Sequence, residues 1–256
     1  EAARRAYADR AEYLGDPDFV DIPLTSLTDK AYARTRFADF DERVASDSDV
    51  MGPGLLDLPS ESRETTHFSV ADGEGNVVAL TTTLNSGYGN KVVVADTGIL
   101  LNNEMNDFSI KPNTPNQYEL IGRQANAIAP GKRMLSSMSP TIVTRDGDPV
   151  LVTGSPGGST IIMTTLQVVI NIIDHEMPIE DAVAQPRIHH QWRPERVMHE
   201  RYALSKETRD ALQAMGHELS ASRWGRGIGD ANSIEIKDGV LRGTKDPRAV
   251  GAAIGY

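Results

Sequence analysis

Three Asp-Gly pairs, at positions 72–73, 146–147 and 238–239, constrain this chain more than any other feature. Each stands between two short runs with strand character: 66–71 and 77–83, 140–145 and 149–153, 233–237 and 240–242. Asp-Gly accepts the left-handed backbone of a tight turn, so each pair predicts a hairpin of antiparallel strands. A further strand is expected at 98–101. Helical patterns fill much of the rest. Glu1–Leu14 reads as a helix stopped by Gly15-Asp16-Pro17. Another is expected over 28–41, behind the cap oxygens of Thr25–Asp29. A long apolar helix covers 159–175, and shorter ones cover 179–185 and 205–215, ending before Pro186 and at Gly216.

The chain has 256 residues, enough for one large domain or two small ones. Its net charge of -10 is unevenly spread, with 8 Lys and Arg against 15 Asp and Glu in residues 1–64. No basic stripe is present, which argues against nucleic acid as a partner. The absence of cysteine excludes disulfides, thiolate catalysis and Cys-ligated zinc. The longest apolar run, around 161–173, is broken by Thr and Gln and is too short to span a bilayer. The sequence opens inside a helical pattern, with neither an initiating Met nor an N-cap. We therefore expect a C-terminal piece of something longer, about whose export signal this sequence is silent.

A seam lies at residue 65. Before it runs an acidic, turn-rich segment, 44–64, with Gly52-Pro53-Gly54 and alternating Asp and Ser, read as an exposed, mobile linker. After it comes Thr65–Val70 (TTHFSV), patterned as a strand. Such a junction suggests a chain that cuts itself and exposes Thr65 as a new N-terminus. That residue would carry a nucleophile and a base together: its hydroxyl, and an α-amino group with a pKa of roughly 7.7–8.0. A Thr pair is equally at home in an ordinary strand.

Four other stretches carry candidate chemistry. Gly154–Ser159 (GSPGGS) joins a strand to a helix, where backbone N–H groups can hold an oxyanion or simply form a capped turn. Asn102–Asp107 (NNEMND) follows an apolar strand end. With Asn85 it offers Glu104 and Asp107 to an ammonium group, or else is a polar loop. Leu135–Pro140 (LSSMSP) pairs two hydroxyls that suit a carboxylate or a turn. In Arg187–Trp192 (RIHHQW) the adjacent histidines point to different sides of any regular element, so His189 and His190 read as structural rather than as a metal pair. The stretch 102–133, rich in Asn, Pro and Gly, is too long for an ordinary connection and reads as a lid or binding loop.

Taken together, these motifs resemble the γ-glutamyltranspeptidase family over nearly the whole chain. The resemblance is carried by Tyr13–Phe19, Thr65–Val70, Thr97–Asn103, Met134–Thr141, Gly154–Ser159 and Pro186–Trp192, in that order. It implies an α+β fold, the αββα sandwich of stacked antiparallel sheets found in N-terminal-nucleophile hydrolases, here only in part. It implies that 1–64 is the tail of a large subunit with its processing linker, and 65–256 the complete small subunit. The rest of the large subunit, the partner after cleavage at Glu64–Thr65, would supply an Arg for the substrate α-carboxylate.

By the same resemblance, Thr65 is the nucleophile and Thr83 its hydrogen-bonded support. Gly157 and Gly158 are the oxyanion donors. Asn85, Glu104 and Asp107 bind the γ-glutamyl moiety, Ser136 and Ser137 its carboxylate, and Tyr118 sits on a lid over 112–123. The implied reaction is acyl transfer from glutathione and similar γ-glutamyl compounds to water, amino acids or peptides. It needs neither metal nor organic cofactor, and its setting is periplasmic or secreted. Rival readings are a cephalosporin-type acylase, a poly-γ-glutamate depolymerase, or an unprocessed inactive fragment.

Overall fold

The structure, a computed structural model, describes residues 1–52, 65–222 and 227–255. The core of the expected linker, 53–64, with Glu64 in it, and the terminal Tyr256 lie outside the described residues.

All three Asp-Gly turns join antiparallel strands, but not in one way. Strands β3 (Thr141–Arg145) and β4 (Asp148–Thr153) turn through Asp146 and Gly147, at φ 54° and 98°. Strands β8 (Ser233–Lys237) and β9 (Val240–Thr244) turn through Asp238 and Gly239, at φ 52° and 74°. Two consecutive left-handed residues match the right-handed twist of the flanking strands. The turn between β1 (Thr66–Ala71) and β2 (Val77–Thr82) is wider. There Asp72 accepts from the N–H groups of Glu74 and Asn76, and Gly75, not Gly73, takes the left-handed position.

Strands β3, β4, β8 and β9 form one antiparallel sheet in the order β3-β4-β8-β9. Hairpin β1–β2 packs beside it, against β4 and β8. Helices α4 (Ile161–Ile173) and α5 (Ile179–Ala184) cover one side. Helix α4 buries Ile161, Thr164, Thr165, Val168 and Ile172, a helical spacing that puts them on one face. With Leu151 of β4, Ala231, and Ile179, Ala182 and Val183 of α5, that face makes the main core.

A second core forms around α1 (Ala2–Tyr13), where Tyr7, Ala8 and Ala11 pack with Met51, Tyr118, Leu120, Ile121 and Trp192. Helix α1 also buries Arg4 and Arg5. Arg4 donates to Ser48 and pairs with Glu195, while Arg5 pairs with Glu1 and Asp39.

Several expectations need correction. The expected helix 28–41 is only α3 (Lys30–Arg36), behind a short α2 (Leu24–Leu27). Asp29 caps α3 by accepting from Ala31 and Tyr32, and beyond its end Phe37 stacks on Phe40, ring centroids 4.5 Å apart. Residues 98–101 form no strand; a lone bridge joins Val93 to Leu100. The start of the expected linker is exposed at Val44, Asp47, Asp49 and Val50, as expected, but it is also anchored at Ser48 and Met51. Ser48 is buried, its carbonyl accepting from Trp192 Nε1 at 3.1 Å and its N–H donating to Glu195 at 3.0 Å. Three short strands were not expected: β5 (Ile188–His189), β6 (Val197–His199) and β7 (Leu219–Ala221), with β6 and β7 parallel. Helix α6 (Lys206–Ala214) lies between β6 and β7, and Ser205 caps it by accepting from the Thr208 N–H.

One face of the β1–β2 hairpin stays open. Phe68 pairs with Leu80 and Val70 with Val78 across the strands, and all four are exposed. Among the described residues no helix is long and apolar enough to cross a membrane.

Candidate active site

Thr65 stands immediately before β1. The β1–β2 register, which pairs Thr66 with Thr82, carries Thr65 to Thr83. The Thr65 hydroxyl donates to Thr83 Oγ1 at 3.3 Å. Thr83 Oγ1 in turn accepts from the Asn85 N–H at 2.8 Å, so the backbone fixes the hydroxyl that faces Thr65.

Asn85 is buried in a left-handed conformation, φ 72°, which Asn tolerates better than most residues. Its Nδ2 donates to the Asn103 carbonyl at 3.1 Å, tying the end of β2 to the loop that carries Glu104 and Asp107. The Tyr118 hydroxyl donates to the Asn85 carbonyl at 2.9 Å and also lies against its Oδ1. Tyr118 is itself buried, and its carbonyl accepts from Gln191 Nε2 at 2.8 Å. The expected lid segment is thus fastened at its tyrosine to both the strand end and the RIHHQW motif. His189 and His190 are both buried, as structural residues are, with His189 Nε2 2.7 Å from Gln191 Oε1. Among the described residues no cluster of His, Asp or Glu has the makings of a metal site.

Glu104 and Asp107 open and close one turn of 3₁₀ helix, which sets both carboxylates on the same loop. Glu104 Oε1 and Asp107 Oδ1 are buried and have no hydrogen-bond partner among the described residues. Buried acceptors normally find donors, so this unmatched pair leaves room for a donor that these residues do not supply. Burial raises the pKa of Glu104. Burial, then repulsion from Glu104, pushes Asp107 up to about 7, against the opposing pull of Arg10.

Ser136 and Ser137 lie in an irregular segment before β3. Ser136 Oγ accepts from the Met138 N–H at 3.0 Å and so holds its own turn. Ser137 Oγ accepts from Arg10 Nη2 at 3.0 Å and lines one small cavity with Arg10 and Asp107. Sequence reasoning missed Arg10. It sits on α1, three residues before the Tyr13–Phe19 motif, in a helix dense with other arginines.

The glycine turn follows β4. Gly157 and Gly158 both adopt positive φ, 138° and 56°, a backbone that glycine takes without the steric cost of a side chain. A Cβ on Gly157 would meet Thr160 Oγ1 at 2.7 Å. The turn reaches β1 through Gly154, where a Cβ would lie 2.4 Å from the His67 ring. Burial lowers the pKa of His67 to about 4, so the ring is neutral, 2.8 Å from Thr81 Oγ1 and 3.1 Å from Ser69 Oγ. The structure therefore brings Thr65, Thr83, Asn85 and Tyr118 into one hydrogen-bonded series. It gathers Asp107 and Ser137 at one cavity and docks the Gly154–Gly158 turn two residues along β1 from Thr65.

The family model for γ-glutamyltranspeptidase matches residues 1–256. The chain belongs to the γ-glutamyltranspeptidase family. Among curated relatives it is 50% identical over 251 residues to the glutathione hydrolase proenzyme of Escherichia coli K12, covering 98% of this chain and 42% of the relative. It is 46% identical to that of Pseudomonas aeruginosa, covering 99% of this chain and 45% of the relative. The chain thus spans less than half the length of these curated relatives.

Solved structures give the same family. A γ-glutamyltranspeptidase from Pseudomonas nitroreducens, complexed with L-DON, superposes with a TM-score of 0.71 at 47% identity, covering 75% of this chain and 99% of that one. A cephalosporin acylase from Bacillus halodurans superposes with a TM-score of 0.78 at 26% identity, covering 99% of this chain and 44% of that one. The fold of this family member is accordingly that of the N-terminal-nucleophile hydrolases, α+β with antiparallel sheets, as the sequence motifs implied.

Proposed function

We propose that this chain is the nucleophile-bearing part of a γ-glutamyl acyltransferase and glutathione hydrolase. In this reading residues 65–256 form the small catalytic subunit and residues 1–64 the tail of the large one. The rest of the large subunit is the partner that completes the site. The observation that carries the reading is the pair of buried acceptors, Glu104 Oε1 and Asp107 Oδ1, in a chain whose Thr65 hydroxyl faces Thr83 at 3.3 Å. Two carboxylates without a partner suit the α-ammonium of a γ-glutamyl donor. Asn85 holds the γ-glutamyl moiety beside them, and Ser136 and Ser137 receive its carboxylate.

The chemistry begins with cleavage at Glu64–Thr65, which frees the Thr65 amine to act as base. The Thr65 hydroxyl attacks the γ-glutamyl amide carbon, its proton passing to that amine. The N–H groups of Gly157 and Gly158 stabilise the oxyanion, a type of contact whose removal typically costs about 2.7–4 kcal/mol. The C–N bond breaks, and the leaving amine takes the proton. Water or an amino-acid amine then attacks the Thr65 ester, giving the hydrolysed or transferred product and restoring the hydroxyl. No step calls for a metal or an organic cofactor. The family resemblance also supports a periplasmic or secreted location.

The likeness to a cephalosporin acylase favours a second reading, acyl transfer from a cephalosporin side chain. A substrate without an α-ammonium would leave Glu104 and Asp107 unpaired. The two readings separate in a competition between a γ-glutamyl anilide and a glutaryl anilide, which differ only in that ammonium-bearing carbon. Rapid release from the γ-glutamyl compound alone is the expected result. Preference for the glutaryl compound would move the assignment to the acylases.

A further inference from the structure

We propose that Arg10 is a positioning residue for γ-glutamyl donors, acting through Ser137 and Asp107; this rests on the donor-binding reading above. Arg10 projects from α1 into the small cavity that Asp107 and Ser137 line. Its Nη2 donates to Ser137 Oγ at 3.0 Å. A hydroxyl that accepts from a guanidinium keeps its own hydrogen for another acceptor, and Arg has nothing but donors to offer. Ser137 is thereby oriented to give its proton to the donor's carboxylate.

The same cation faces Asp107. The charged groups acting on Asp107 are Glu104, on its own turn, and Arg10, on α1. Burial and Glu104 favour the neutral acid, and among the described residues it is Arg10 that favours the carboxylate. Burial lowers the pKa of Arg10, with Tyr7 and Asp107 pulling the other way, but a guanidinium starts so high that it stays protonated in the working range of pH. Arg10 therefore serves both ends of a zwitterion: it orients the hydroxyl for the carboxylate and holds the charge for the ammonium.

This residue lies before Thr65. Cleavage at Glu64–Thr65 would leave it on the other polypeptide, and its position would depend on contacts across the cut. Those contacts are in place. Tyr7 donates to the Ser159 carbonyl at 2.5 Å, Arg123 pairs with Glu12 at 2.6 Å, and the Arg123 N–H donates to the Ala11 carbonyl at 3.2 Å.

The test uses Arg10→Gln and Arg10→Lys in the full-length protein, assayed with a γ-glutamyl anilide across pH 5–9. For Arg10→Gln we expect KM to rise about tenfold with kcat within about threefold, since a charge-assisted contact is lost before chemistry. The acid limb of kcat/KM should move to higher pH. Arg10→Lys should return the limb toward its original position while KM stays raised, because an ammonium keeps the charge but not the guanidinium's fixed geometry. A ¹³C titration of the Asp107 carboxyl reads the same effect without turnover and covers the case where Arg10→Gln fails to fold: its midpoint should rise in whichever variant folds, more in Gln than in Lys. An unchanged KM and limb, an unmoved Asp107 midpoint, or a loss confined to kcat overturns the proposal. Failure of the unmutated protein to turn over the anilide would instead sink the donor-binding reading, and this inference with it.

Discussion

On the proposed reading, Asp107 sets the pH at which the site works. A carboxyl titrating at about 7 is neutral in mild acid and then offers an ammonium no charge. We predict that kcat/KM rises with pH through two overlapping steps, one at about 7 from Asp107 and one at roughly 7.7–8.0 from the Thr65 amine, and that Asp107→Asn removes the Asp107 step, leaves the amine's, and costs about 1.5–3 kcal/mol of donor binding. A pH-independent kcat/KM between 5 and 8 would count against the assignment. The same shift costs stability. Because the folded pKa lies above the unfolded one, the native state holds the extra proton, and stability falls as pH rises from about 4 to about 7. His67 works in the other direction. Its depressed pKa makes stability fall as pH drops from 6.5 toward about 4. Thr65, Glu104, Asp107, Ser136 and Ser137 could be named as candidates because they sit in contiguous motifs. Arg10 could not, since its meaning comes from Ser137 and Asp107, far along the chain, and a helical Arg reads as solvated.

At the scale of elements, hairpins and capped helices were readable because their signals are local. Asp-Gly marks the turns of β3–β4 and β8–β9, and Ser205 and Gly216 bracket α6. Strands β5, β6 and β7 were not readable. They are two or three residues long, too short to show alternation, and exist through pairing across 188–221. The anchoring of 46–52 was hidden for the same reason, because Trp192 and Glu195 hold Ser48 from across the chain.

The contact between the glycine turn and β1 gives a sharp element-level prediction. Gly154→Ala would press a methyl into the His67 ring at 2.4 Å, so one of the two must move. Overpacking of that kind typically costs about 1–3 kcal/mol. Denaturant unfolding should show it, with activity falling as the turn shifts from Thr65; an unchanged midpoint would mean that turn and strand are not coupled. Tyr118→Phe tests the lid in turn. Loss of its hydroxyl bond to Asn85 should cost about 0.5–1.5 kcal/mol and raise the donor KM.

On the scale of the whole molecule, one charged cluster joins the C-terminal region to the core. Arg187 pairs with Asp246 at 2.7 Å, and Arg248 bridges Asp246 and Glu200. Arg187 and Asp246 are fully buried, so Asp246→Ala would strand a buried cation and should cost about 3–5 kcal/mol. The open face of β1–β2, with Phe68, Val70, Val78 and Leu80 exposed, predicts that the isolated chain self-associates. Light scattering of that chain checks this, and a stable monomer would show that the face needs no cover. In the proposed mechanism one hydroxyl, on Thr65, serves both self-cleavage and acyl transfer. Mass spectrometry of the full-length protein, acid-quenched during turnover of a γ-glutamyl anilide, tests it directly. The expected result is a polypeptide beginning at Thr65 that carries a γ-glutamyl group on that residue, and a single uncut chain for Thr65→Ala. An adduct at any other residue, or two polypeptides from Thr65→Ala, would contradict it.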